Sequence, residues 1–119
     1  MSDVTTIVET YIAAWNERDP DQRLRLVAET FTPDADYLDP LMSGQGHEAI
    51  NAMIEAVQQQ FPDHDFRLQG TPDSHHDRLR FGWTLTPEGE DTPVGVGVDF
   101  ATLAEDGRLQ SVSGFLVAA

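Results

Sequence analysis

The first half of the chain repeats its apolar positions every three or four residues. Val4, Ile7, Val8, Tyr11, Ile12 and Trp15 share one face at that spacing, which predicts a helix over residues 3–17. The stretch "RDPDQRLRLVAETF" predicts a second. Asp19 can cap it, Pro20 suits its first position, and Gln22 stands where a capping box places its partner. Its apolar stripe is Leu24, Val27, Ala28 and Phe31, and Pro33 is expected to end it. A short strand is expected over 35–39, in "ADYLDP". The loop "PLMSGQG" then leads to a third helix over 47–60. That helix carries Ile50, Met53, Ile54, Val57 and Phe61 on one side, and Pro62 stops it.

Beyond Pro62 the period drops to two. Phe66 and Leu68 alternate with polar residues, and so do Leu79, Phe81, Trp83 and Leu85. "PEGED" reads as a hairpin turn. Val94, Val96, Val98 and Phe100 then alternate with Gly95, Gly97, Asp99 and Ala101, "EDGR" turns again, and residues 109–117 form a last strand. The order is α-α-β-α-β-β-β-β. It predicts an α+β domain over residues 1–119, with three helices packed on one face of a strongly curved mixed or antiparallel sheet. Such a sheet and its helices enclose a conical, largely apolar cavity, the usual place for a small ligand.

Composition narrows the chemistry. Net charge is −14, and all seven basic residues are Arg. An anionic surface repels phosphate backbones, so nucleic acid is excluded as a partner. No apolar run approaches the length of a membrane span. Without Lys there is no side-chain Schiff base, and without Cys no disulfide or thiolate site. The first ten residues carry no export signal, so a cytoplasmic protein is expected. Excess acid also fits life in high salt, where screening relieves self-repulsion.

Three polar residues sit where apolar ones would be ordinary. Tyr11 lies on the helical stripe between Ile7 and Trp15, so a buried phenol needs a partner. Asp99 shares its strand face with Gly95, Gly97 and Ala101, small neighbours that leave room for a ligand atom. Asp39 ends a strand before Pro40. It either tidies a turn by accepting backbone N–H groups or faces the cavity as a proton acceptor. Tyr11 has the plain alternative of core packing, and Asp99 that of facing solvent. The cavity wall is expected from Trp15, Phe31, Met53, Val57, Phe61, Phe81, Trp83, Val112 and Leu116. His75, His76 and Asp77 have metal-binding composition, but adjacent side chains diverge and no further ligand is evident, so no metal or cofactor is expected. Arg78 and Arg80 oppose Phe81 and Trp83 and read as solvent-facing or interfacial. If Asp99 points inward, Val94, Val96, Val98 and Phe100 point outward. That apolar row predicts a homodimer formed through the outer sheet face.

The whole chain resembles the NTF2-like superfamily, and within it the ketosteroid isomerases and SnoaL-like proteins. "YIAAWNERD" is similar to the Tyr-x-x-Ala-x-Asn-x-x-Asp opening of the isomerases, and "ADYLDP" to their strand-ending Asp-Pro. "GVDFATLAEDGRL" sets Asp99 eight residues before the Gly of the last turn, as they do. The resemblance implies Asp39 as general base, with Tyr11 and Asp99 as hydrogen-bond donors to an enolate oxygen. It implies isomerisation of a hydrophobic carbonyl compound by proton abstraction alpha to the carbonyl, without a cofactor, in a homodimer. The alternatives are a noncatalytic protein that binds a hydrophobic ligand and a polyketide cyclase or hydratase of the same fold.

Overall fold

The computed structural model describes residues 4–117. Helix α1 spans Val4–Asn16, and its expected start at residue 3 lies outside the described residues. Helix α2 spans Pro20–Thr30 and α3 His47–Gln60. The strands are β1 (Phe31–Leu38), β2 (Ser43–Gln45), β3 (His64–His75), β4 (Arg78–Pro87), β5 (Gly95–Leu103) and β6 (Leu109–Leu116). They form one curved six-stranded sheet in the order β2-β1-β6-β5-β4-β3. Among the described residues only the β1–β6 pairing is parallel, so the sheet is mixed. No helix among the described residues is long and apolar enough to cross a membrane.

The start of α2 departs from the capping box that the sequence suggests. Asp19 does cap it, accepting from the Asp21 N–H at 2.9 Å, but the Asp19 N–H turns to the Glu17 carboxylate rather than to Gln22. The buried face of α2 is Arg23, Val27 and Thr30, rotated from the expected Leu24 stripe. Arg23 wins because it finds partners for its whole guanidinium. Nε donates to Asn51 at 2.6 Å, Nη1 to Gln58 Oε1 at 2.7 Å and the Glu17 carbonyl at 3.1 Å, and Nη2 meets Glu55 at 3.3 Å. A buried charge is tolerable only when satisfied in this way.

Pro33 does not stop α2. The helix passes directly into β1 at Phe31, whose backbone is already extended, and Pro33 falls where the β1–β6 register shifts. A proline is tolerated there because the ladder is interrupted. The loop before α3 carries β2, a three-residue strand too short and too polar to leave a period-two signal. The ladder continues past Gly70: β3 runs to His75, and a two-residue turn at His76 and Asp77 returns the chain into β4. No group of three or more His, Asp or Glu among the described residues is arranged to hold a metal ion.

Two contacts fix how the helices lie on the sheet. Asn16 at the end of α1 both donates to the Phe66 carbonyl and accepts the Phe66 N–H, joining α1 to β3. Gln58 of α3 donates to the Trp15 and Glu17 carbonyls, two of the orphan acceptors at the end of α1. The core between helices and sheet includes Val8, Phe31, Ile50, Ile54, Phe81, Leu109 and Val112.

Candidate active site

A cavity of about 700 Å³ opens at one end of the core. Its wall takes Tyr11, Ile12 and Trp15 from α1, Val57 and Phe61 from and after α3, Phe66 from β3, Trp83 and Leu85 from β4, and Asp99 from β5. Tyr37 and Asp39 enter from β1 and its end. Leu41, Val94 and Leu116 stand at the mouth and are exposed. Among the described residues no Arg or His lines it.

Asp39 both builds a turn and lines the cavity. Its Oδ1 accepts the N–H groups of Leu41 at 2.8 Å and Met42 at 3.0 Å, building the turn from β1 into β2. Its Oδ2 accepts the Tyr37 hydroxyl at 2.7 Å, and the residue lines the cavity half-buried. Pro40 lacks an N–H, so the side chain reaches past it to the next two donors.

Asp99 is 1% exposed and accepts twice: from the Tyr11 hydroxyl at 2.6 Å on Oδ2 and from Trp83 Nε1 at 3.0 Å on Oδ1. Burial pushes its carboxyl up to about 6. The bonds from Tyr11 and Trp83 oppose that rise, and the charge of Asp39 adds to it. Burial, then the charge of Asp99, raises the Tyr11 phenol well above its usual value. Tyr37 is raised by burial first, then by Asp99 and Asp39. Trp15 Nε1 is buried without a hydrogen-bond partner among the described residues, although the indole lowers the Tyr11 phenol slightly.

The side chains of Asp99 and Asp39 converge at Gly114 of β6, which pairs with Asp99. A Cβ on Gly114 would stand 3.0 Å from Asp99 Oδ1, 3.1 Å from Asp39 Cβ and 3.3 Å from the Tyr37 hydroxyl. Replacing Gly114 with Val is therefore expected to abolish ligand binding, because branched carbons would fill the point where these groups converge. Calorimetric titration with a hydrophobic ketone, alongside a thermal melt, checks this.

Asp99 also has a stability signature. Its carboxyl binds a proton more readily folded than unfolded, so its contribution is most favourable below the ordinary carboxylate range. That contribution is lost as pH rises through about 6. Exchanging Asp99 for Asn removes the buried charge and keeps an acceptor for Trp83. It is expected to stabilise the protein by roughly 1–3 kcal/mol at pH 8 and to give no gain near pH 3.5. Melting curves of both proteins across that range decide it.

Of the residues expected at the site, Tyr11, Asp39, Asp99, Trp15, Val57, Phe61, Trp83 and Leu116 line one cavity. Phe31, Met53, Phe81 and Val112 do not: they are buried in the core behind it. Phe31 and Phe81 pack against the Tyr11 ring at centroid distances of 5.8 and 5.1 Å, supporting it from the far side. Met53 sits one helical turn before Val57, deeper in the core. Val94 turns to the cavity mouth instead of joining the outward row. Tyr37 and Gly114 were not anticipated from the sequence. The signal for Tyr37 was present, since it precedes Asp39 by two and so shares its strand face. Gly114 becomes visible only through its register opposite Asp99.

A family model of the SnoaL-like domain matches residues 8–112. The fold is shared with a candidate isomerase of the SnoaL-like family from Agrobacterium tumefaciens str. C58, at 44% identity and TM-score 0.92, over 99% of this chain and 100% of that one. It is shared with a candidate SnoaL-like polyketide cyclase from Jannaschia sp. CCS1 at 20% identity and TM-score 0.70, over 98% and 89% of the two chains. An NTF2-like protein of unknown function from Exiguobacterium sp. 255-15 matches at 16% identity and TM-score 0.72, over 95% and 99%. No curated protein matches the chain.

Proposed function

The chain belongs to the SnoaL-like family and has the NTF2-like fold, and from that premise we propose that it isomerises a hydrophobic carbonyl compound by moving a proton. One observation carries the reading: two acids of unlike environment, buried Asp99 and half-buried Asp39, line one apolar cavity with their side chains converging at Gly114. Asp39, half-buried beside the mouth, takes the proton alpha to the carbonyl and returns it at another carbon. Tyr11, backed by Asp99, faces the oxygen on which charge develops. When Asp99 takes up a proton on Oδ2 it can donate to the phenol oxygen. The Tyr11 hydroxyl then turns to the ligand. A preorganised donor in a dry site stabilises an enolate far better than water does. The volume suits a polycyclic or terpenoid-sized molecule. A cavity that, among the described residues, is lined by two acids and no base favours a neutral one.

Incubation with a 3-oxo-Δ5 steroid, followed by the absorbance of the conjugated enone, tests the reading. Turnover is expected. Tight binding without turnover would assign the cavity to ligand sequestration, and neither binding nor turnover would favour cyclase chemistry on another substrate.

A homodimer is part of the same proposal. Phe100 and Phe115 are exposed on the outer sheet face, beside half-buried Val96 and Val98. Val98 and Phe115 are direct cross-strand partners. Such a patch favours cover by a second copy. Light scattering at micromolar concentration is expected to give twice the chain mass, and Phe115→Asp to give the monomer.

A further inference from the structure

We propose that Trp83, seated on Gly97, is a positioning residue that keeps Oδ1 of Asp99 an acceptor, so that a proton enters at Oδ2 and releases the Tyr11 hydroxyl to a ligand oxygen. The inference rests on the cavity reading above and adds a control to it. The indole N–H is a donor only. Donating to Oδ1 at 3.0 Å, it favours the state in which that oxygen carries no proton, and Oδ2, at 2.6 Å from the phenol, is left as the exchangeable end.

The sequence builds this contact through an absent side chain. Trp83 and Gly97 are register partners on β4 and β5. A Cβ on Gly97 would lie 2.2 Å from Cζ2 and 2.4 Å from Cε2 of the indole, so the ring occupies the space a side chain would need. Phe66 meets the ring edge-on at 5.5 Å. Gly97 beneath and Phe66 beside it hold the N–H on Asp99.

The groups facing Asp99 are few. Tyr11 approaches from α1, Tyr37 and Asp39 from β1 and its end, and Trp83 from β4. The residues that α3 and β3 add to the cavity wall do not ionise, nor does Gly114 on β6. Asp99 is therefore the acid whose protonation the indole can bias, with Asp39 as the only charged neighbour in the cavity among the described residues.

The test is a carboxyl-carbon NMR titration of Asp99 in the full chain, in wild type, Trp83→Phe and Gly97→Ala. Phenylalanine keeps a ring but has no N–H. Alanine keeps the indole and forces it off its seat. Loss of one hydrogen bond to the ionised form is expected to raise the Asp99 midpoint by about one to two pH units in both variants. A wild-type midpoint in either variant overturns the proposal, and melting curves confirm that each variant is folded. The second readout is affinity for a 3-oxo-Δ4 steroid against pH, expected to fall above the Asp99 midpoint in wild type and to lose that fall in both variants, where Oδ1 is free to take the proton and Tyr11 stays on Oδ2. A wild-type profile with no fall at the Asp99 midpoint overturns the release of Tyr11, and a fall that simply follows the midpoint upward in both variants overturns the steering of the proton to Oδ2. The carboxyl titration needs no ligand. Failure of the steroid to bind in any protein thus counts against the isomerase reading, while the midpoint still decides the role of Trp83.

Discussion

Exchanging Asp39 for Asn is expected to lower turnover of an isomerisable ketone by about 10²- to 10⁴-fold, the range for loss of a general base. Affinity should change little, because the substitution is nearly isosteric and the apolar wall is untouched. The fold should also survive. The amide oxygen can still accept from the Leu41 and Met42 N–H groups, and the amide nitrogen can donate to the Tyr37 oxygen once that hydroxyl rotates. A fall in kcat with KM and melting temperature near wild type would place Asp39 at the reacting proton. Undiminished kcat would leave it only its turn-building role, since the Asn side chain performs that equally well.

The helices were readable because each buries a stripe against one surface, so periodicity reports burial directly. Helix α3 runs over residues 47–60 as its spacing implies. Periodicity failed where a polar residue buries itself with partners that lie far away in sequence. Arg23 displaces Leu24 from the core face of α2 because Asn51 and Gln58 meet it there, 28 and 35 residues along the chain and invisible from its local pattern. The site divides the same way. Tyr11, Asp39 and Asp99 stand out as polar residues at apolar positions. Their bonding does not, because the Tyr11–Asp99 bond spans 88 residues and the indole of Trp83 looks like any wall aromatic until the β4–β5 register is known. Phe31 and Phe81 show the converse error. Both are aromatic and face inward, but they stand behind Tyr11 rather than beside it, and depth from the cavity has no periodic signature.

Exchanging Arg23 for Ala is the substitution expected to cost most stability, about 3–5 kcal/mol, with melting lowered on the order of 10 °C. The guanidinium is 1% exposed and joins the end of α1 to both other helices. Removing it leaves a void, the Gln58 and Asn51 oxygens unmet, and a helix-end carbonyl short of a donor. The ion pair with Glu55 is the lesser part, since Glu55 is 45% exposed and water screens it, so Glu55→Gln should cost under about 1 kcal/mol. Urea unfolding of both variants separates the two contributions. A large loss only in Arg23→Ala assigns the stability to the neutral acceptors. Equal losses would assign it to the charge pair. Because Gln58 also holds the Trp15 carbonyl, Arg23→Ala should in addition weaken ligand binding by loosening the helix that presents Tyr11 and Trp15 to the cavity.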